Sequence, residues 1–421
     1  MSRLQRRGNR PTRALIGAWV LALVICAPAL GADGSLLIVG GALREDNAAV
    51  HKALVEALLP EGPLVIIPAA SGRPARSADG FVKSLQAHGL QPGRIEVFPL
   101  AVRDDSGTKD VDESQWSKNA WDSELVERVA GAAGFWFTGG DQTRITTTLL
   151  GPKGEESPLL QLVRKRLAAG AVVGGTSAGA AIMSKDMIAG GVSFTALLEP
   201  LAPAYTDSED QDSGRLYLSR GLGFLAAGIV DQHFDRKARL GRLVRALAAT
   251  GQERGFGIDE DTALLIRLGS DRARVLGTGS VTLLDTSAAE FAFGGRKLAS
   301  NLELSLIAPG VIFRLSDFSI IEGQGDATVG NEYFSYMPDQ GGGMAFANPG
   351  LDQALGYDLL DNDAKKLDRY SIDSKGRVLI YRFTETPLSK GYWRSEGSDD
   401  RYTISKVRMD ILALQAKLPP H

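Results

Sequence analysis

Residues Gly174-Gly175-Thr176-Ser177-Ala178-Gly179-Ala180-Ala181 surround one hydroxyl with the smallest side chains available. The spacing Gly175-x-Ser177-x-Gly179 is that of a nucleophile elbow, a sharp strand-to-helix turn that lifts a serine clear of its neighbours. Such a turn strains the backbone at the serine, so its neighbours must be small, and residues 174, 175, 178, 179, 180 and 181 are all glycine or alanine. The N–H of Ala178 then points to where an oxyanion would form. Neither G-x-G-x-x-G nor a Walker pattern is present here, which argues against a phosphate-binding loop.

A serine hydroxyl attacks only when a base takes its proton. The chain has four histidines, His51, His88, His233 and His421. His421 is the last residue, His88 ends an expected helix, and His51 reads as a packing or surface residue. His233 follows the apolar Gly228-Ile229-Val230 and belongs to the polar quartet Asp231-Gln232-His233-Phe234, ahead of an expected basic helix. It is the expected base. The acid that orients it is expected in Gly257-Ile258-Asp259-Glu260-Asp261-Thr262, with Glu260 first and Asp259 second. The order serine, histidine, acid differs from the serine, acid, histidine order of α/β-hydrolases, while the chemistry of a serine hydrolase is kept. A second glycine loop, Phe137-Thr138-Gly139-Gly140-Asp141-Gln142, offers the Gly140 N–H as the other oxyanion donor, with Asp141 as a helix cap.

The elements around these loops alternate. Leu36–Val39, Leu64–Ile67, Ile95–Phe98, Gly134–Phe137 and Ala171–Val173 are short apolar runs fit for buried parallel strands. Helical periods lie between them, at about 47–59, 75–88, 122–130, 141–149 and 158–169. This predicts an α/β fold, a mostly parallel sheet with helices on both faces and the chemistry beyond the carboxyl ends of the strands. From about residue 285 the helical period fades, and residues 317–421 are expected to form a β-rich extension packed on a catalytic domain spanning 33–316.

The 421 residues are 44 % hydrophobic and 23 % charged, as in ordinary globular chains. Residues 1–13 carry five arginines and no acid, Ala14 to Ala27 are mostly apolar, and Pro28-Ala29-Leu30-Gly31-Ala32 follows. That is the layout of an export signal, expected to occupy residues 1–32 and to direct the protein to the periplasm or the medium. Removing its five positive charges takes the formal charge from −3 to −8. A net negative field disfavours nucleic acids and anionic lipid surfaces, and no membrane anchor is expected after the signal is lost. The one cysteine, Cys26, leaves with the signal, so disulfides, cysteine nucleophiles and zinc–thiolate sites are excluded from the processed chain.

Taken together, Gly40-Gly41-Ala42, the Phe137–Gln142 and Gly174–Ala180 loops, Asp231-Gln232-His233-Phe234 with the arginines after it, and Gly257–Ala263 resemble the cyanophycinase family of serine peptidases, related to the aspartyl dipeptidases (peptidase E). The resemblance spans about residues 35–316. It implies a class I glutamine-amidotransferase-like fold, a Ser177–His233–Glu260 triad, no metal or cofactor, and a homodimer. The implied substrate is cyanophycin, a polyaspartate whose side chains carry arginine, cut to β-Asp-Arg dipeptides. Arg239 and Arg242, three apart on the expected helix, are expected to bind substrate carboxylates as bidentate donors. Asp231, Gln142 and Gln232 are expected to meet its guanidiniums. Lys237 stands where the family usually has an arginine and offers a point donor instead. The acidic loop Asp207–Asp212 is expected to be solvated. Two other readings are a peptidase E-like hydrolase of short Asp-containing dipeptides and a binding protein that keeps the fold without catalysis.

Overall fold

The computed structural model describes residues 33–205, 211–338, 340–346, 350–397 and 399–418. The expected export signal, most of the acidic loop and His421 lie outside them.

The chain first builds a βα layer from β1 (Ser35–Val39), α1 (Ala48–Glu56), β2 (Leu64–Ile67), α2 (Pro74–Ala87), β3 (Ile95–Val97), α3 (Ser123–Arg128), β4 (Gly134–Phe137), α4 (Gln142–Leu149), α5 (Pro158–Ala168) and β5 (Val172–Thr176). The helix starts are written in the sequence. Asn47, Asp141 and Ser157 each accept a first-turn N–H, and Pro158 occupies the first turn of α5. Strands β1 to β5 lie parallel in the order β1–β5–β4–β2–β3.

The short α6 (Ala178–Ala181) leads to β6 (Asp186–Gly190), α7 (Ser193–Leu198) and β7 (Tyr217–Arg220), with β6 and β7 paired antiparallel. Next come β8 (Ile229–Asp231), α8 (Leu240–Thr250), β9 (Arg254–Ile258), β10 (Thr262–Arg267), β11 (Arg272–Gly277), β12 (Val281–Asp285), β13 (Glu290–Phe291), β14 (Lys297–Ile307), β15 (Ile312–Arg314), β16 (Ile320–Glu322) and β17 (Asp326–Ala327). A π-helical segment, Gln353–Leu360, precedes β18 (Lys366–Ile372), β19 (Arg377–Thr384), β20 (Lys390–Glu396) and β21 (Asp399–Gln415).

The expected parallel layer is present and is widened by antiparallel strands. The first sheet runs β16–β15–β11–β10–β1–β5–β4–β2–β3, with β10 antiparallel on β1. A second sheet runs β17–β20–β21–β14–β12–β9–β8, with β13, β18 and β19 alongside. One apolar core holds residues of both sheets, among them Ile38, Phe135 and Phe137 with Val230, Phe256 and Leu283. The division expected at residue 316 is crossed by both sheets. Strand β16 joins the first sheet, and β21 pairs with β14 from Lys297–Leu412 to Leu306–Ile404. Hydrogen-bonded strands therefore tie the C-terminal region to the strands that precede residue 316. Among the described residues, no helix is long and apolar enough to cross a membrane.

Candidate active site

Strand β5 delivers Ser177 into a turn with φ 54° and ψ −109°, and α6 starts at the next residue. A non-glycine residue with positive φ costs on the order of 1–3 kcal/mol, held here by the surrounding structure. The Ser177 N–H is tied to the Val39 carbonyl at 3.0 Å. No side chain larger than hydrogen fits at Gly175 or Gly179. A Cβ on Gly175 would lie 2.7 Å from the Gly179 carbonyl oxygen, and one on Gly179 would lie 2.3 Å from that of Phe137.

The base follows a strand of the second sheet, and the acid lies on the link from that sheet's β9 to β10 of the first. His233 follows β8 with φ 48°, and its N–H donates to the Gly40 carbonyl at 2.6 Å. Its Nε2 lies 2.9 Å from Ser177 Oγ and its Nδ1 lies 2.6 Å from Glu260 Oε1. Glu260 sits between β9 and β10. The loop is fixed by Asp261, whose N–H donates to the Gly41 carbonyl and whose carboxylate accepts from Arg44 N–H, Asn47 Nδ2 and Thr278 Oγ1. Gly41 has φ 111°, and a Cβ there would lie 2.3 Å from His233 Nε2. Glycine is required for the imidazole to stand where it does.

Burial, helped by the positive charges of Arg239 and Lys237, lowers the His233 pKa against the opposing pull of Glu260. The imidazole is therefore uncharged at neutral pH, the form that can accept a proton. Burial raises the Glu260 carboxyl, but hydrogen bonds from His233 and Arg236 outweigh it and leave Glu260 below its ordinary value. Arg236 Nη1 reaches the second oxygen, Oε2, at 2.5 Å. With Nδ1–H given to Glu260, Nε2 is free to accept the serine proton.

Ala178 opens α6, where an N–H has no intrahelical partner. Gly140 has φ 141°, and a Cβ there would lie 2.1 Å from the Ala70 carbonyl oxygen. A Cβ on neighbouring Gly139 would lie 3.4 Å from Ser177 Cβ, so the second glycine loop does border the serine.

The expected substrate contacts are placed differently. Arg239 and Arg242 are only 3 % and 2 % exposed. Arg242 Nε and Nη2 hold both oxygens of Asp231, at 2.7 and 2.6 Å, and its Nη1 holds the Gly191 carbonyl. Arg239 pairs with Asp212 and with the Gln232 carbonyl. The expected bidentate carboxylate ligands are thus committed inside the protein, and so is Asp231, the expected guanidinium ligand. The physical reason is local. Residues 234–238 form turns with Ala238 at φ 50°, and α8 starts only at Leu240, so the two arginines share no exposed helix face. Lys237 Nζ binds Asp212 at 2.5 Å. Gln142 is buried and donates to the Ile188 and Ala189 carbonyls. Among the described residues, Gln142 Oε1, Gln232 Oε1 and Arg239 Nε find no partner. Asp259, the second choice of acid, is half-buried and accepts from the N–H groups of Asp235 and Ser280 rather than from His233.

A cleft of about 520 Å³ opens beside Gly140, lined by Arg103, Asp104, Asp141, Arg144 and Gln211. Arg103 is exposed. Of these residues the sequence singled out only Asp141 and, within the acidic loop, Gln211; the loops that supply the others are far apart along the chain. A larger cavity, about 730 Å³, lies by Ser35 and Lys52, at the opposite end of β1 from Ser177.

The family model described as peptidase family S51 matches residues 36–273. A cyanophycinase of Geminocystis herdmanii is 31 % identical over 289 residues, covering 66 % of this chain and 92 % of the relative. A cyanophycinase of Nostoc sp. is 31 % identical over 223 residues, 53 % of this chain and 63 % of its own length. One from Synechococcus elongatus is 37 % identical over 168 residues, 40 % and 46 % of the two chains. The chain thus spans less than two thirds of the length of the Nostoc relative. A solved peptidase from an acI-B1 Actinobacterium matches 60 % of this chain and 91 % of its own at 22 % identity, with a TM-score of 0.41. With the family model covering more than half of the residues and the Geminocystis relative aligned along nearly all of its length, this chain belongs to peptidase family S51.

Proposed function

We propose that the protein is a serine exopeptidase that hydrolyses cyanophycin to β-Asp-Arg dipeptides. The observation that carries the reading is the continuous chain from Ser177 Oγ through His233 to Glu260, at 2.9 and 2.6 Å. Ser177 Oγ attacks the backbone carbonyl of the polymer while His233 Nε2 takes its proton. Glu260 steadies the imidazolium, and the N–H groups of Gly140 and Ala178 hold the oxyanion. The imidazolium then protonates the leaving amine, the C–N bond breaks, and an acyl-enzyme remains. Water, deprotonated by His233, releases the dipeptide and restores the serine. The choice of polymer rests on the name cyanophycinase carried by the relatives. Arg103, at the rim of the cleft beside Gly140, offers a bidentate donor to a substrate carboxylate.

Purified protein is incubated with insoluble cyanophycin and, separately, with α-Asp dipeptides, and the products are read by mass spectrometry. Release of β-Asp-Arg from the polymer is expected, with a loss of roughly 10³- to 10⁶-fold in Ser177→Ala. Cleavage of the dipeptides alone would give the peptidase E-like reading instead, and cleavage of neither would end the proposal. The basic, apolar and small-residue order of residues 1–32 supports export. N-terminal sequencing of protein recovered outside the cytoplasm is expected to begin near residue 32 or 33. The homodimer rests on the resemblance alone, and light scattering on the processed protein tests it.

A further inference from the structure

The second sheet ends, on the side away from β8, in a cleft of about 550 Å³ between β17, β20, β21 and residues 331–334. Its walls combine aromatic rings, Tyr333, Phe334, Trp393 and Tyr402, with the carboxylates of Asp326, Asp361 and Asp400. Among the described residues, no lysine or arginine lines it. Tyr333 is 83 % exposed, unusual for so large a ring.

Two of the acids are held in place by neutral donors. Asp400 accepts from Trp393 Nε1 and Tyr357 Oη, both at 2.9 Å. Asp361 accepts from the Tyr333 N–H at 2.9 Å and Tyr402 Oη at 2.7 Å. Neutral donors leave the negative charge in place, and each carboxylate keeps lone pairs for a further donor. Flat ring faces beside oriented carboxylates suit a planar, weakly hydrated cation that stacks and donates in the same plane. That describes a guanidinium, and an ammonium ion matches it poorly.

We propose that this cleft binds arginyl side chains of the substrate polymer at a site separate from Ser177, anchoring the insoluble chain while its end is cut. The identity of the polymer rests on the function proposed above; the guanidinium chemistry does not. His233 follows β8, which is one edge of the sheet path, and β17 is the other. Six strand spacings of about 4.8 Å separate them, roughly 29 Å across the sheet. An extended chain covers that span in about eight or nine residues. The anchor therefore helps only polymers longer than about nine repeats, by raising the local concentration of chain ends at Ser177.

Two measurements test this. Octa-arginine and octa-lysine are titrated against the Ser177→Ala protein by calorimetry. Octa-arginine is expected to bind about tenfold tighter, and the double variant Tyr333→Ala with Asp326→Asn to lose about tenfold of that affinity. Tyr333→Phe, which keeps the ring, is expected to retain it. Both substituted residues are exposed, so the fold is preserved. On cyanophycin of graded length, the double variant in the Ser177 enzyme is expected to show a KM raised about fivefold for long chains, with kcat and the KM for three-repeat chains unchanged. Equal binding of the two peptides, or a double variant that matches the parent protein on both peptide binding and long chains, overturns the proposal. If the enzyme cuts no cyanophycin at all, the functional reading fails, and the peptide titration alone still decides the guanidinium site.

Discussion

Arg236 is the charged side chain nearest to the triad that faces solvent. It sits 2.5 Å from the Glu260 oxygen that His233 does not use. The cation offsets part of the Glu260 charge felt by the imidazole, adding to the burial that keeps the His233 pKa low. The acid limb of kcat/KM is therefore expected below the ordinary histidine value of 6.5. In Arg236→Gln, Glu260 pulls harder on the imidazolium and its carboxylate turns more freely. The acid limb is expected to move up in pH, and kcat to drop by about three- to tenfold, since an exposed pair is worth only about a kcal/mol. Arg236→Lys restores most of both. An unmoved pH profile would reduce Arg236 to a surface charge. Gly41→Ala is expected to lower the thermal midpoint by a few degrees, because φ 111° strains any residue with a Cβ, and to lower kcat at least about a hundredfold, because the new methyl occupies the place of Nε2. At this scale the sequence was informative where chemistry dictates a local pattern. Ser177 is betrayed by its Gly and Ala neighbours, and His233 and Glu260 by polar residues at strand ends. Arg236 and the inward-turned Arg239 and Arg242 were not legible, because their partners Glu260, Asp212 and Asp231 are fixed by tertiary packing, not by spacing.

The parallel strands and their helices follow from apolar runs, caps and breakers, and they are where the sequence predicts them. The loops that carry the site are harder to read. Ala42, Ser177, His233, Ala238 and Asp261 all have positive φ without being glycine. Only glycine advertises that conformation in a sequence, so the turn through 234–238 reads as helix. The same loop holds Asp235, whose carboxylate accepts the N–H groups of Gly350 and Leu351 and so docks the segment leading to the π-helix. Desolvation raises its pKa from 3.8 to about 6, and Asp259 beside it, desolvated and repelled by Asp235, rises to about 7. A raised carboxyl supports folding fully below pH 3.8 and loses that support as pH climbs through 6. Asn at 235 still accepts the two N–H groups and carries no charge. Asp235→Asn is expected to match the parent near pH 4 and to exceed it by up to about 3 kcal/mol at pH 8, read from thermal melts at both values. A constant difference across that range would remove Asp235 from the account.

On the scale of the molecule, the C-terminal strands are part of the frame that holds the base. The 17 residues of β21 pair with β14, β19 and β20, and β14 continues through β12 to β9 and β8. Pairing of β14 with β21 joins residues about a hundred positions apart, and no local pattern announces it. A chain ending at residue 316 bares the edge of β14 and the buried Leu302, Leu304 and Leu306. Such a truncated protein is expected to be insoluble on expression, as judged by centrifugation of the lysate. A soluble and active product would show the extension to be dispensable. The nucleophile belongs to one sheet and its base to the other, with the acid on the short link between β9 and β10. Their meeting depends on the two layers keeping register, and a slip of a single ångström parts the proton donor from its acceptor. Gentle urea should therefore silence turnover while circular dichroism still reports every strand, which makes catalysis the most sensitive gauge of how tightly the layers grip.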